Sequence, residues 1–234
     1  MRDTELTYLG HATFTIKSHT GKRILIDPWV QGNPAVPQSL KRIPSLDYVL
    51  ITHGHYDHIG DAVEIAATHP SAVFVCNFET SVWLGAKGVA EANLIGMNKG
   101  GTIELDGIKV TMVHADHSCG ILDEGKIVYG GDPCGYVVAF DNGLTLYHAG
   151  DTNVFSDMAL IHELYRPEVA LLPIGGHYTM GPREAAKACE FLQAPTVVAM
   201  HHHTFPVLTG SPEELESLAA GRWRILGPRP GDRL

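Results

Sequence analysis

The sequence predicts an α/β fold in which two mixed β-sheets pack face to face with helices outside, an αββα sandwich. Each half of the chain begins with short β-branched or alternating runs between Gly, Pro and Asn turns, and continues with segments of helical periodicity. Hydrophobic residues make up 44% of the chain and charged residues 18%, a balance that favours a folded globule over disorder. Because no linker or low-complexity stretch interrupts the pattern, residues 1–234 are expected to form one domain.

The first half predicts five strands and two helices. Strands are expected where apolar β-formers alternate or run together, and helices where apolar residues recur every three or four positions. The strands are Leu6–Leu9, Ala12–Lys17, Arg23–Asp27, Tyr48–Thr52 and Ala72–Cys76, and the helices are Asp61–His69 and Glu79–Ala86.

The second half repeats this organisation with more strands. Strands come first, and strand and helix then alternate, which is the order expected of a sheet covered by helices. The strands are Thr102–Glu104, Lys109–Val113, Tyr136–Phe140, Leu144–His148, Val169–Pro173, Thr196–Met200 and Trp223–Leu226, and the helices are Ser156–Tyr165, Pro182–Leu192 and Pro212–Ala220.

Charge and composition narrow the classes of partner. The formal net charge is -9 and no run of Lys and Arg occurs, so binding to nucleic acid is not expected. The N-terminus has no apolar signal region and no stretch approaches the length of a membrane span, which predicts a cytoplasmic protein without a membrane partner. The four cysteines lack C-x-x-C spacing and are interpreted as reduced thiols. Association into a homo-oligomer is left open.

The segment Thr52–His58 reads T-H-G-H-Y-D-H and follows a predicted strand. At strand spacing His53 and His55 share a face, whereas a turn between them directs Asp57 and His58 toward a second point. Imidazole and carboxylate are the ligands of zinc-type ions, so the motif predicts two adjacent metal positions. The alternative is a solvated polar turn, which we consider the weaker interpretation because the string is rare by chance.

The side chains of this one motif cannot complete the coordination shells of two metal ions, so further ligands are expected downstream. A ligand that directly follows a strand is aimed by the sheet behind it. Three candidates meet this criterion: His117 in H-A-D-H-S-C, Asp151 in H-A-G-D-T, and His201 after the strand Thr196–Met200.

These segments resemble the metallo-β-lactamase superfamily, whose signature T-H-x-H-x-D-H is matched by Thr52–His58. Further matches cover nearly the whole chain: G-H-A-T-F at 10–14, I-D-P at 26–28, H-A-G-D-T at 148–152, L-P-I-G-G-H-Y-T-M-G-P at 172–182 and A-M-H-H-H-T-F-P at 199–206. The combination is similar to the metal-dependent hydrolases related to L-ascorbate-6-phosphate lactonase. The resemblance implies a metallo-β-lactamase-like fold.

The resemblance also implies a ligand set. One metal ion would be held by His53, His55 and His117, the other by Asp57, His58 and His201, with Asp151 bridging the two. Zinc fits these ligands best, and manganese, iron or nickel would also be accepted. No separate organic cofactor is expected.

The chain differs from these lactonase-related hydrolases at two places. His202 and His203 follow His201 where those proteins often have a tyrosine and an asparagine, and Gly176-His177 replaces their more usual aspartate-asparagine pair. The first departure leaves open a swap of His202 or His203 for His201. The second makes His177, in a glycine-flanked loop after a strand, a candidate for the substrate pocket, with a loop-stabilising hydrogen bond as the alternative.

Three further residues flank the predicted centre. Asp27 ends an apolar strand, where a bare charge is costly, so it either holds the histidine loop by hydrogen bonds or caps the strand. His11 either borders the pocket or is a core histidine with a partner. For Cys119, two residues past His117, a small buried hydrophobe is the preferred interpretation over contact with the metal.

The predicted function is a metal-dependent hydrolase in which a hydroxide bridging two metal ions attacks an ester or lactone of a small molecule, phosphorylated substrates included. No G-x-S-x-G motif is present, so a covalent intermediate is not expected. Asp57 is predicted to orient the hydroxide or carry its proton, and His177 to stabilise the oxyanion and protonate the leaving group. Two alternatives are a phosphodiesterase or nuclease, which the acidic balance disfavours, and a metal-binding protein without turnover.

Overall fold

The computed structural model describes residues 1–234, and its residue contacts group into two compact units. Unit 1 comprises residues 1–98, 118–133 and 229–234, and unit 2 comprises residues 99–117 and 134–228. Both units contain a mixed sheet and helices, so the predicted α/β class with two mixed sheets is confirmed.

The chain forms fifteen strands and six α-helices, numbered in chain order. The strands are β1 Glu5–Gly10, β2 Thr13–Lys17, β3 Arg23–Ile26, β4 Tyr48–Leu50, β5 Val73–Asn77, β6 Leu94–Met97, β7 Thr102–Leu105, β8 Ile108–His114, β9 Gly120–Asp123, β10 Lys126–Tyr129, β11 Cys134–Ala139, β12 Thr145–His148, β13 Val169–Pro173, β14 Thr196–Met200 and β15 Arg224–Leu226. The helices are α1 Tyr56–Ile59, α2 Ala62–Thr68, α3 Phe78–Ala86, α4 Met158–Tyr165, α5 Pro182–Leu192 and α6 Pro212–Ala219.

The sheet of unit 1 has six strands in the order of the sequence, β1 to β6. The pairs β1–β2 and β2–β3 are antiparallel, and from β3 to β6 each strand is parallel to the next. The carboxyl ends of β3, β4 and β5 therefore lie at one edge, where α/β sheets present their functional side chains. The apolar core of this unit includes Leu25, Val49 and Phe74 from these three strands, all fully buried.

The sheet of unit 2 has seven strands in the order β15-β14-β13-β12-β11-β8-β7. The strands β12 to β15 are parallel, whereas β11 is antiparallel to both β8 and β12. Strands β8 and β12 consequently run in the same direction, and the chain leaves β8, β12, β13 and β14 at one edge. The helices α4, α5 and α6 supply or adjoin a core that includes Tyr147, Leu172 and Leu215.

Every predicted strand and helix is present, with ends that differ by a few residues. The prediction missed β6, α1 and the hairpin β9–β10. In β6 the run L-I-G-M contains a glycine, which weakens a strand pattern. The hairpin turns at Glu124 and Gly125, both with positive φ, as a two-residue turn of the primed type requires.

The helices are short. The longest, α5, has 11 residues, and no helix combines the length and apolar character needed to cross a bilayer.

Candidate metal centre

The histidine motif occupies the end of β4 in unit 1. Beyond Leu50 the chain stays hydrogen-bonded to β5, since the Ile51 N–H donates to the Val75 carbonyl at 2.9 Å. His53 is buried, and His55 lies in extended conformation directly before α1. The end of the strand thus positions His53, and the first turn of α1 positions Asp57 and His58.

Asp27, directly after β3, is the anchor of the motif. Its carboxylate is fully buried and accepts three hydrogen bonds, from the Thr52 N–H at 2.8 Å, the Thr52 hydroxyl at 2.8 Å and His58 Nδ1 at 2.8 Å. A buried carboxylate requires such partners, because its desolvation is otherwise costly. The prediction that Asp27 holds the histidine loop is confirmed.

These contacts fix the protonation of two histidine rings. An ionised carboxylate only accepts, so His58 donates through Nδ1 and keeps its lone pair on Nε2. The Thr52 hydroxyl gives its only hydrogen to Asp27, so it accepts from His53 Nδ1 at 3.0 Å, and His53 likewise keeps its lone pair on Nε2. An imidazole that donates a hydrogen bond from one nitrogen and carries the lone pair on the other is the form that ligates metals.

The ring nitrogens of the motif converge. His53 Nε2 lies 2.9 Å from His55 Nδ1, and the rings of His53 and His58 have centroids 4.1 Å apart. The ligand atoms of His11, Asp57 and His58 lie within 4.8 Å of one another. Unit 1 therefore holds imidazoles and a carboxylate in the arrangement expected of metal ligands, and the donor set fits divalent ions of the zinc type.

Asp57 is paired with His11. His11 is fully buried, and its Nε2 lies 3.0 Å from Asp57 Oδ2. The His11 ring also contacts the rings of Trp29 and His58, at centroid distances of 5.1 and 5.5 Å. Of the two interpretations from the sequence, the structure therefore agrees with a buried core histidine that has a partner.

The turn between His53 and His55 is held by Cys119. The buried Cys119 sulfur accepts a hydrogen bond from the Gly54 N–H at 3.3 Å and donates to the Gly130 carbonyl at 3.0 Å. A side chain at Gly54 would clash with Ile121 of β9, so only glycine permits this close approach. Burial raises the pKa of the Cys119 thiol, which keeps it protonated and able to donate. Cys119 is therefore buried as expected, and it also positions the motif.

In unit 2 the three downstream candidates lie together. Asp151 Oδ2 is 3.0 Å from His201 Nε2 and 3.7 Å from His117 Nε2. His117 follows β8, Asp151 follows β12 and His201 follows β14, so the common direction of these strands brings the three residues to one edge. Asp151 and His201 are buried.

Backbone contacts hold this second cluster in place. The Thr152 hydroxyl accepts from the Asp116 N–H at 3.0 Å, and the Asn153 N–H donates to the Asp116 carbonyl at 2.9 Å, which ties the loop after β12 to the loop after β8. His201 has a positive φ of 55°, and a side chain at Gly175 would clash with its carbonyl oxygen. Gly175 is therefore required for the loop after β13 to pass His201.

The remaining histidines of unit 2 occupy different surroundings. His177 is exposed on the loop after β13, has a positive φ of 58°, and packs edge-on against the ring of Tyr178 with centroids 4.4 Å apart. His202 is half-buried and directs Nδ1 toward His203 Nδ1 at 3.2 Å. Burial, aided by His203, lowers the pKa of His202 to about 4. It is His201, not His202 or His203, that contacts Asp151.

Comparison with known proteins agrees with this donor chemistry. Residues 22–202 match the family model described as a beta-lactamase superfamily domain. A UPF0173 metal-dependent hydrolase of Koribacter versatilis is 59% identical over 92% of this chain and 91% of that protein.

Two solved structures extend the comparison. Igni18, a metallo hydrolase from the archaeon Ignicoccus hospitalis, is 39% identical with a TM-score of 0.86, covering 99% of this chain and 97% of that one. The isothiocyanate hydrolase from Delia radicum gut bacteria is 25% identical with a TM-score of 0.76, covering 98% of both chains. The chain therefore belongs to the metallo-β-lactamase superfamily, within the family of the UPF0173 metal-dependent hydrolases.

Proposed function

We propose that this metal-dependent hydrolase uses two divalent ions, and that it opens an ester or lactone of a small molecule, phosphorylated substrates included. The observation that carries the proposal is the hydrogen bonding of Asp27, which fixes the tautomers of His53 and His58 so that Nε2 carries the lone pair in both rings. Such partners behind the ligands are a regular feature of metal sites and raise the basicity of the imidazoles.

The two clusters would supply the ligands jointly. In this proposal His53, His55 and His117 would hold the first ion, Asp57, His58 and His201 would hold the second, and Asp151 would be a ligand of both. The contacts of Asp151 with His117 and His201 support a shared role for these three residues. Zinc suits the mixture of imidazole and carboxylate best, with manganese, iron and nickel as substitutes.

When bound, a pair of such ions ionises water at neutral pH and polarises the bond under attack. The protein's own residues would then direct the proton and the substrate. Asp57, whose side chain is 13% exposed, is held by His11 at 3.0 Å and is placed in this proposal to orient the attacking oxygen and accept its proton. The exposed His177 would stabilise the oxyanion and protonate the leaving group.

Isothiocyanate hydrolysis is the second candidate. The chain resembles an isothiocyanate hydrolase at 25% identity over 98% of both chains. Water addition to the central carbon of an isothiocyanate needs the same activated nucleophile as ester hydrolysis. Phosphodiester cleavage has no comparable support, and the net charge of -9 opposes a nucleic-acid substrate.

The test combines metal analysis with a substrate panel. Untagged protein is analysed by mass spectrometry for metal, and turnover is measured on lactones, esters, phosphodiesters and isothiocyanates. We expect two equivalents of metal and hydrolysis of a lactone or ester. Turnover only of phosphodiesters would favour the nuclease alternative, and metal without any turnover would favour a binding protein.

Two variants separate the assigned roles. His55→Ala should remove metal and activity together, whereas the matched control His19→Ala, in an exposed turn, should keep both. His177→Ala should lower kcat by about 10²-fold or more while metal content stays unchanged. Full turnover in the His177 variant on the best substrate would contradict its role.

A further inference from the structure

A cavity of about 380 Å³ lies in unit 1, away from the histidine cluster. Its walls come from β1, β2 and β3, from residues 39–46 before β4, and from the C-terminal residues 231–233. Arg23, which begins β3, lines this cavity, whereas Asp27 follows the other end of that strand. The volume falls within the range of small-molecule sites, about 300–1,000 Å³.

The charge of this cavity is opposite to that of the chain. Four cationic side chains line it, namely Lys17, Arg23, Arg42 and Arg233, together with one carboxylate, Glu5. Glu5 forms an ion pair with Arg233 at 3.3 Å. Four of the 17 lysines and arginines of a chain with formal charge -9 thus surround one cavity.

Two of these cations lie directly opposite each other. In the register of β2 and β3, Lys17 pairs with Arg23, and like charges at directly opposed positions destabilise a sheet. Lys17, Arg23 and Arg42 take part in no side-chain salt bridge. Asp47 accepts the backbone N–H of Arg23 at 2.8 Å and directs its other oxygen to Lys22 at 3.4 Å. On its other side Lys17 lies opposite Glu5 of β1, but Glu5 forms its ion pair with Arg233, so no carboxylate forms an ion pair with Lys17 or with the Arg23 guanidinium.

We propose that this cavity binds a small molecule through a phosphate group. Guanidinium groups match phosphate oxygens with paired hydrogen bonds, and lysine adds a point charge. Thr7 and Thr15, which are cross-strand partners in the same cavity, supply hydroxyl donors. A dianion placed between Lys17 and Arg23 would attract both side chains and offset their mutual repulsion. This site is independent of the hydrolytic centre.

The test is a calorimetric titration of the metal-loaded protein with inorganic phosphate and, separately, with glycerol phosphate. The double variant Lys17→Gln/Arg42→Gln removes two cavity cations. The matched control Lys109→Gln/Lys126→Gln removes two exposed cations outside the cavity. Wild-type and control proteins should bind saturably, the cavity variant should bind at least about tenfold more weakly, and added salt should weaken binding. Tighter binding of glycerol phosphate than of phosphate would identify an organic phosphate as the ligand.

Equal binding by all three proteins would locate the anion elsewhere and overturn the proposal, as would the absence of saturable binding by the wild type.

Thermal unfolding gives a second readout. Added phosphate should raise the Tm of the wild-type and control proteins more than that of Lys17→Gln/Arg42→Gln, because a ligand that binds the folded state stabilises it by mass action. An equal rise of Tm in all three proteins would contradict the proposal. Metal content and turnover of the variants should equal those of the wild type, so failure of the anion site is distinguishable from failure of the hydrolytic proposal.

Discussion

The two clusters of candidate ligands are built in different ways. In unit 1 the candidate ligands fall within Thr52–His58, and hydrogen bonds to the side chains of Asp27, His11 and Cys119 hold them in place. In unit 2 the ligands come from three loops between positions 117 and 201, and backbone contacts and glycine hold those loops together. The first cluster therefore depends on a hydrogen-bond network and the second on the close packing of loops.

This difference predicts that unit 2 tolerates added volume less well than unit 1. A side chain at Gly175 would clash with the carbonyl oxygen of His201, whose backbone cannot move without displacing the cluster. Gly175→Ala should lower the free energy of unfolding by about 3 kcal/mol and reduce metal content. Urea unfolding of the metal-free protein measures the first effect, and mass spectrometry measures the second.

Gly54→Ala is the matched substitution in unit 1. Its added methyl group would clash with the side chain of Ile121, which can shift more readily than a backbone carbonyl. The loss should be smaller, about 1–2 kcal/mol. If Gly54→Ala destabilises the protein more than Gly175→Ala does, the contrast between the clusters is wrong.

The hydrogen-bond network of unit 1 is tested at Asp27. Asn tolerates the positive φ of 52° at this position but cannot accept from all three donors as a carboxylate does. Asp27→Asn should lower the free energy of unfolding by about 2 kcal/mol and weaken metal binding by about 10- to 100-fold. The control Asp116→Asn, an exposed residue of unit 2, should change both by much less, because the backbone of Asp116 makes its main contacts.

Alkaline pH should lower the free energy of unfolding through one buried thiol in each unit. The two contributions should be similar, and each should be smaller than the loss expected from Asp27→Asn. Burial raises the pKa of the Cys76 thiol in unit 1 and raises the pKa of Cys189 in unit 2 to about 12. The unfolded thiol ionises above about pH 8.5 while the folded one stays neutral, so each thiol's contribution to stability is complete below that pH and is lost as pH rises. The loss between pH 7.5 and 9.5 is about 1.4 kcal/mol for each thiol.

Urea unfolding of the metal-free protein at the two pH values measures this loss. Cys189→Ala should lessen it by one thiol's share, and a Cys189 variant with the same pH dependence as the wild type would contradict the assignment.

The difference between the two clusters of candidate ligands explains which features of the site could be predicted from the sequence. The cluster of unit 1 is local, so spacing alone predicted it, and the strand-end rule located His117, Asp151 and His201 because parallel strands share an edge. The role of Cys119 was missed because its contact with Gly54 depends on the hairpin β9–β10, which the prediction did not include. The turn pair Glu124-Gly125 between apolar runs was the available signal for that hairpin.

The cavity at the other end of the unit 1 sheet could not be predicted from the sequence either. Lys17 and Arg23 are six positions apart in sequence, and only the antiparallel register places them opposite each other. Arg42 and Arg233 reach the same cavity from an irregular loop and from the C-terminus. Charges gathered from such distant segments leave no local pattern.

Both clusters are proposed to serve one pair of ions, and native mass spectrometry of the metal-loaded protein decides whether they do. We expect two ions in the wild type and fewer than two in both His55→Ala, from unit 1, and His201→Ala, from unit 2. Two ions retained by a folded His201→Ala variant would show that the clusters do not share their ions.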